Sequence, residues 1–239
     1  EVSTFDLIKY KQSDEIIEYL NNYVKDIVEG AMFTKDFVFD QSIEVSIDEL
    51  NNMLQYKYKN FPLWDRVHEI AKRIAYNNYN GLLKNITIIE KKLKELLNLE
   101  MDLKVIFKAF FDSKYSKIKC KIKDKYLFYE DACLFLYLKS LLMGFNTNHV
   151  IKQVVIDEAQ DYNKLQYYII KRIFKKANYT ILGDTNQTIN PYYKYRSLEE
   201  LKDIFNSSRY IKLTKTYRST DKIIQYTNQI LGLNYVTAI

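Results

Sequence analysis

A chain of 239 residues with 47% hydrophobic and 28% charged side chains can bury a core and is too apolar for a disordered or fibrous class. Five glycines and two prolines make up about 3% of the chain against an average near 12%, which nearly excludes Gly-rich ligand loops. The formal charge of +6 is uneven, because twelve lysines against six acidic residues fall between positions 84 and 125 and the rest of the chain sums to zero.

The chain opens on Glu1-Val2-Ser3-Thr4, neither a Met nor a basic and apolar leader, which reads as a piece of a longer, non-secreted protein. Residues 1–145 read as mostly helical, with a short hairpin across Phe37 to Ser46. Apolar residues recur at i, i+3 and i+4 over Asp48 to Tyr58, Leu63 to Tyr79, Ile86 to Leu99, Leu103 to Phe111 and Phe128 to Met143, the spacing of helices with one buried face. Pro62 sits where a helix starts and leaves Trp64, Val67, Ile70 and Ile74 on one stripe. His68 in that helix reads as a packing or surface residue. With His149, Cys120 and Cys133 it makes no zinc spacing, and two reduced thiols fit a cytoplasmic protein. No apolar run reaches the length of a membrane span.

Lys117 to Lys123 alternates strictly between Lys and apolar or Cys residues. On a strand this puts four lysines on one face, either as a phosphate-facing ribbon or as a soluble edge strand.

From residue 146 to 239 the pattern turns α/β. Ile151 to Ile156 is a β-branched run, Leu165, Ile169 and Ile173 outline a helix, and Tyr179 to Leu182 is a second run. This strand, helix, strand order predicts a parallel sheet. Tyr210 to Leu213 reads as a third strand, followed by a helix from Thr220 to Leu231 capped by Ser219. Asp161 is expected to cap the helix after the first strand. Asp157-Glu158, Gly183-Asp184 and Tyr217-Arg218 follow the three strands, and ligands of open α/β sheets bind beyond strand carboxyl ends. Two adjacent carboxylates there can divide the labour of nucleotide hydrolysis, one holding hydrated magnesium and the other acting on a water.

The longer string Val155-Ile156-Asp157-Glu158-Ala159-Gln160-Asp161 resembles the DEAQD form of the magnesium-binding motif of superfamily 1 helicases of the UvrD/Rep type. Leu182-Gly183-Asp184-Thr185-Asn186-Gln187-Thr188-Ile189 is similar to that family's GDxxQ motif, and Leu213 to Thr220, containing Tyr217-Arg218-Ser219, to its YRS motif. Tyr129-Glu130-Asp131-Ala132 through Tyr137-Leu138-Lys139, with Asn190-Pro191-Tyr192, is closest to the HelD-like branch.

The resemblance implies a RecA-like, P-loop NTPase α/β motor domain with a large helical insertion. ATP and Mg2+ would be its cofactors, and single-stranded or partly duplex DNA its partner. RNA polymerase is the partner under the HelD-like alternative, in which the ATPase remodels or recycles stalled polymerase; a third reading is a non-catalytic interaction domain. Asp157 would bind magnesium through water, with Glu158 beside it as catalytic base. Gln187 would sense the γ-phosphate, Arg218 contact it as it leaves, and Tyr217 stack on adenine. Tyr192, Tyr193, Tyr195 and Arg196 would meet nucleic acid, although this segment lacks the family's Gly. The family's Gly-Lys-Ser/Thr cradle would lie upstream of Glu1 and its second motor domain after Ile239.

None of the five glycines precedes a lysine, so phosphates find no cradle of backbone N–H groups and Lys within this chain. The 239-residue chain alone should therefore bind ATP only weakly. Calorimetric titration with magnesium and a non-hydrolysable ATP analogue checks this, and micromolar binding would contradict the assigned half-pocket.

Overall fold

The computed structural model describes residues 3–39, 43–79, 82–119, 125–145, 150–233 and 236–238. Helices and short strands are mixed, and the chain divides into two compact units. The first comprises Glu1–Val154 with Asn163–Tyr179, the second Val155–Tyr162 with Thr180–Ile239.

The first unit is built on helices whose starts are written locally. Ser3 caps α1 (Thr4–Lys11), Ser13 caps α2 (Asp14–Gly30) and Ser46 caps α3 (Ile47–Asn52), each side-chain oxygen accepting an orphan backbone N–H of the first turn. Between α2 and α3 lies the expected hairpin, β1 (Phe37–Phe39) paired antiparallel with β2 (Ile43–Val45). Then come α4 (Leu63–Tyr79), α5 (Leu83–Leu96), α6 (Leu103–Asp112), α7 (Tyr129–Leu142) and α8 (Lys164–Ile173). The predicted stripe of α4 is the buried one: Val67 and Ile70 are fully buried and Trp64 nearly so. One core joins Ile16 and Leu20 of α2, Ile89 and Leu93 of α5, Phe107 and Phe110 of α6, and Leu134 and Leu138 of α7.

Two features of this unit depart from helical periodicity. The helix begun by α3 widens into a π-helical turn at Met53–Lys57. Buried Arg66 of α4 sits over it, donating to the carbonyls of Leu54 (3.1 Å), Lys59 (2.8 Å) and Phe61 (2.9 Å). A planar guanidinium can satisfy several carbonyls at once. The Lys-rich ribbon does not form where it is described: residues 117–119 are bend and coil, and Lys117 bonds to Glu15 instead. Residues 120–124, including Lys121 and Lys123, lie outside the described residues, as does His149.

The first strand is shorter than its apolar run, and the second is offset from its run by one residue. β3 (Gln153–Ile156) pairs with β4 (Asn178–Ile181). The N–H of Asn178 donates to the carbonyl of Lys152 and the N–H of Leu182 to that of Ile156, a constant offset that marks a parallel pair. α8 between them opens on a capping box of Asn163 and Gln166, so Asn163, not Asp161, is its cap. In the second unit Tyr210 to Leu213 forms no strand. Pairing begins later, where β5 (Lys215–Thr216) lies parallel to β6 (Thr237–Ala238). Apolar alternation makes a strand only where a neighbour receives its backbone groups, and Ile211 and Leu213 stay exposed. α9 (Asp221–Leu231) starts one residue late, with Thr220 rather than Ser219 at its N-cap and no side-chain cap bond, and ends on left-handed Gly232.

Lys11 of α1 and Asp131 of α7 form a buried ion pair at 2.5 Å, with both side chains at most 5% exposed. Asp131 Oδ1 accepts no well-directed hydrogen bond, so charge attraction carries this contact. Removing one partner strands the other, which costs about 3–5 kcal/mol, whereas replacing both with apolar groups is often neutral. Lys11→Met should lower the urea midpoint of the chain sharply, and adding Asp131→Leu should recover most of the loss. Additive losses would contradict the pairing.

Candidate functional site

The second unit begins at Val155, within β3. Leu182 donates its N–H to Ile156 (2.8 Å) and Ala159 returns one to the carbonyl of Leu182 (2.9 Å), stitching the residues after β3 to those after β4. Asp157 and Glu158 are exposed on this turn. Glu158 takes a left-handed conformation, φ 48° and ψ 44°, which costs a non-glycine residue about 1–2 kcal/mol. It is held there on both sides, since Asp157 Oδ1 accepts its N–H (2.9 Å) and Asp161 donates to its carbonyl (3.0 Å).

Gln160 ties the two motifs together. Its side chain is 1% exposed and both ends of its amide are used. Nε2 donates to Glu158 Oε2 (2.7 Å), and Oε1 accepts the N–H of Asp184 (2.9 Å). Gly183 makes the approach possible: a Cβ there would sit 2.6 Å from Gln160 Oε1 and 2.9 Å from the Ala159 nitrogen. From Asp184 the chain of bonds continues, its Oδ2 accepting from Gln187 Nε2 (3.0 Å) while its Oδ1 accepts the Asn186 N–H (2.9 Å). Asp161 Oδ1 accepts the N–H of Ile189 (3.2 Å), so the last residue of DEAQD anchors the segment after GDxxQ.

That segment turns at Asn190, whose Oδ1 accepts the N–H groups of Tyr192 (2.9 Å) and Tyr193 (3.3 Å), an Asx turn. Tyr192 and Tyr193 are half-buried and Arg196 is exposed. Tyr195 is 2% exposed and packs edge-on to Tyr193 at 5.0 Å between centroids, so its ring offers no open face to a base. Tyr217 is 82% exposed and Arg218 is exposed too, its backbone N–H donating to Thr216 Oγ1 (3.2 Å). Thus residues 157–161 and 183–189 are joined by hydrogen bonds, and among the described residues that network does not reach Tyr217 or Arg218.

The donor set suits a hydrated magnesium ion. Glu158 Oε1 and Asp157 Oδ2 accept no hydrogen bond among the described residues, leaving one hard oxygen open on each adjacent carboxylate. No group of three or more His, Cys, Asp or Glu that could hold a metal occurs among the described residues. Magnesium keeps several waters and takes one or two carboxylates plus phosphates, so it needs no such cage.

The profile of the UvrD/REP helicase N-terminal domain matches residues 25–199. The chain belongs to this family. It is 26% identical over 98% of its length to the ATP-dependent DNA helicase Rep of Buchnera aphidicola subsp. Baizongia pistaciae. It is also 29% identical over 68% of its length to that organism's RecBCD enzyme subunit RecB, and 29% identical over 50% to a probable DNA helicase II homolog of Mycoplasma genitalium. The chain spans 32%, 15% and 20% of those three relatives. The HelD-like assignment finds no support among them. Within the UvrD/REP frame, the residues that motif reading passed over are Gln160 and Gly183. Both were visible as letters of DEAQD and GDxxQ, but only the fold shows that they touch.

Gly183→Ala should push the Gln160 amide away and leave the Asp184 N–H without its side-chain acceptor. Amide hydrogen exchange at Asp184 should speed up at least tenfold in Gly183→Ala and in Gln160→Leu. Unchanged exchange in both would mean that the bridge is not formed in solution.

Proposed function

We propose that this chain is part of the first motor domain of an ATP-dependent DNA helicase or translocase, with a RecA-like parallel-sheet core and a helical insertion. The observation that carries the reading is the run of hydrogen bonds Glu158, Gln160, Asp184, Gln187. It links a carboxylate after one parallel strand to an amide after the next, which is what coupling hydrolysis to a moving partner needs. The names of the relatives, an ATP-dependent DNA helicase and a probable DNA helicase II homolog among them, support DNA as the partner.

In this reading Asp157 would hold magnesium through water and Glu158 would accept the proton of the attacking water at its open oxygen. Bound ATP and magnesium supply the phosphoanhydride and the charge neutralisation. Gln187, tethered to Asp184, reports on the γ-phosphate side of the site. Arg218 is exposed and would meet developing phosphoryl charge, which a planar guanidinium suits better than an ammonium. Tyr217 presents an open ring for adenine. Tyr192 and Tyr193 with Arg196 form the nucleic-acid contact, bases stacking on the tyrosines, while buried Tyr195 holds their loop in place. The left-handed Glu158 is consistent with a strained functional residue, since such backbone persists where its surroundings over-determine it.

The relatives named above give no support to a polymerase-remodelling role. In the helicase motor containing this chain, Glu158→Gln should keep ATP binding and lower steady-state turnover by about 10²-fold or more, the scale of losing a general base. Turnover within a few-fold of the wild type would remove Glu158 from that role.

A further inference from the structure

In the helical unit, a cavity of about 530 Å³ opens between α4, α5, the start of α6 and the turn after α7. Trp64, Met101, Leu103 and Met143 supply its apolar lining. The polar lining holds three carboxylates, Asp65, Glu90 and Asp102, against the ammonium of Lys94 and the imidazole of His68.

The three carboxylates are not equivalent. Glu90 is satisfied on both oxygens, by His68 Nδ1 at 2.7 Å and Lys94 Nζ at 2.5 Å. Burial raises its carboxyl, but the bonds from Lys94 and His68 outweigh that and hold it below the ordinary range. Asp102 spends Oδ1 on the N–H of Lys104 (2.8 Å) as the cap of α6. Asp65 accepts no hydrogen bond among the described residues. Burial pushes its carboxyl above the ordinary aspartate range against the pull of His68 and Lys175. Gly144 keeps that carboxylate accessible: at φ 73° it turns the chain beside Asp65, where a Cβ would lie 3.0 Å from Oδ2.

We infer that this cavity binds a cationic head, guanidinium or ammonium, carried on an aliphatic stem. Asp65 receives the head, while the Trp64 ring and the Met101 and Met143 thioethers cover the stem. Aromatic faces and soft, polarisable sulfurs both favour such a group, and a half-buried carboxylate gains most from a partner that supplies both charge and donors. An arginine or lysine side chain of a partner protein and a free polyamine share this chemistry. The site uses none of residues 157–218 and stands apart from the proposed motor function.

Trp64 is the chain's one tryptophan and lines the cavity, so its fluorescence reads occupancy directly. The chain is titrated with N-acetyl-arginine amide, with spermidine and with neutral N-acetyl-norleucine amide. A saturable change with the cations and none with the neutral analogue is expected, weakened about tenfold or more in Asp65→Asn, as loss of a charged hydrogen-bond acceptor implies. Tighter binding of arginine amide than of spermidine identifies a protein side chain as the natural source, and the reverse order a polyamine. A second variant guards against misfolding of the first. Met143 is 40% exposed, so Met143→Lys keeps the core and plants a tethered ammonium that should compete away the added cation. An equal response to the neutral analogue, or undiminished cation binding in both folded variants, overturns the proposal.

Discussion

The candidate site depends on one side-chain amide. Gln160 is buried, and a buried amide must satisfy donor and acceptor alike or cost the fold several hydrogen bonds' worth of free energy. It does so by giving to Glu158 and taking from the Asp184 backbone. Those two bonds, with the Ala159 N–H to Leu182 carbonyl and the Ile189 N–H to Asp161, set the spacing of the loops after β3 and β4. The absence of a side chain at Gly183 is part of the same contact, because any Cβ would occupy the space of the Gln160 oxygen.

Geometry on either side follows from this constraint. Glu158 stays in a left-handed conformation that its own chemistry disfavours because its N–H, carbonyl and carboxylate are each engaged. Three partners on one residue offset about 1–2 kcal/mol of backbone strain. Gln187 is held to Asp184 twice, its side-chain Nε2 donating to Oδ2 and its backbone N–H to the Asp184 carbonyl, so a displacement at either end of the bonded run is felt at the other. Such a run is a positioning device: rigid when satisfied, and sensitive to the loss of any member.

Much of the helical unit was legible because burial of one face leaves a period in the sequence. The five helical stretches and the Phe37 to Ser46 hairpin correspond to observed elements, and the Trp64, Val67, Ile70 stripe is the buried one. What was illegible has no period. Arg66 reads as an ordinary charged residue on a helix, yet its three carbonyl acceptors come from the chain just before it. Tyr210 to Leu213 has strand composition without a strand, because sheet formation depends on a neighbour that local sequence does not name. Asp161 and Ser219 have the chemistry of caps but lie where the chain needs something else, a tether for Ile189 in one case and no cap bond in the other. Tyr195 has the composition of a stacking residue and the burial of a core one. The motif letters named the candidate residues, whereas the bond from Gln160 to Asp184 had to be seen.

The most direct test is steady-state ATP hydrolysis by the proposed helicase motor containing this chain, with and without single-stranded DNA, comparing Gln160→Leu with the wild type. Gln160 touches neither reacting atom in the proposed mechanism and acts only by holding Glu158 and the Asp184 loop. The account predicts that kcat falls about 10- to 100-fold, the range seen when outer-shell partners are removed, with the KM for ATP little changed and the stimulation by DNA lost. A kcat and a DNA stimulation both within twofold of the wild type would contradict it.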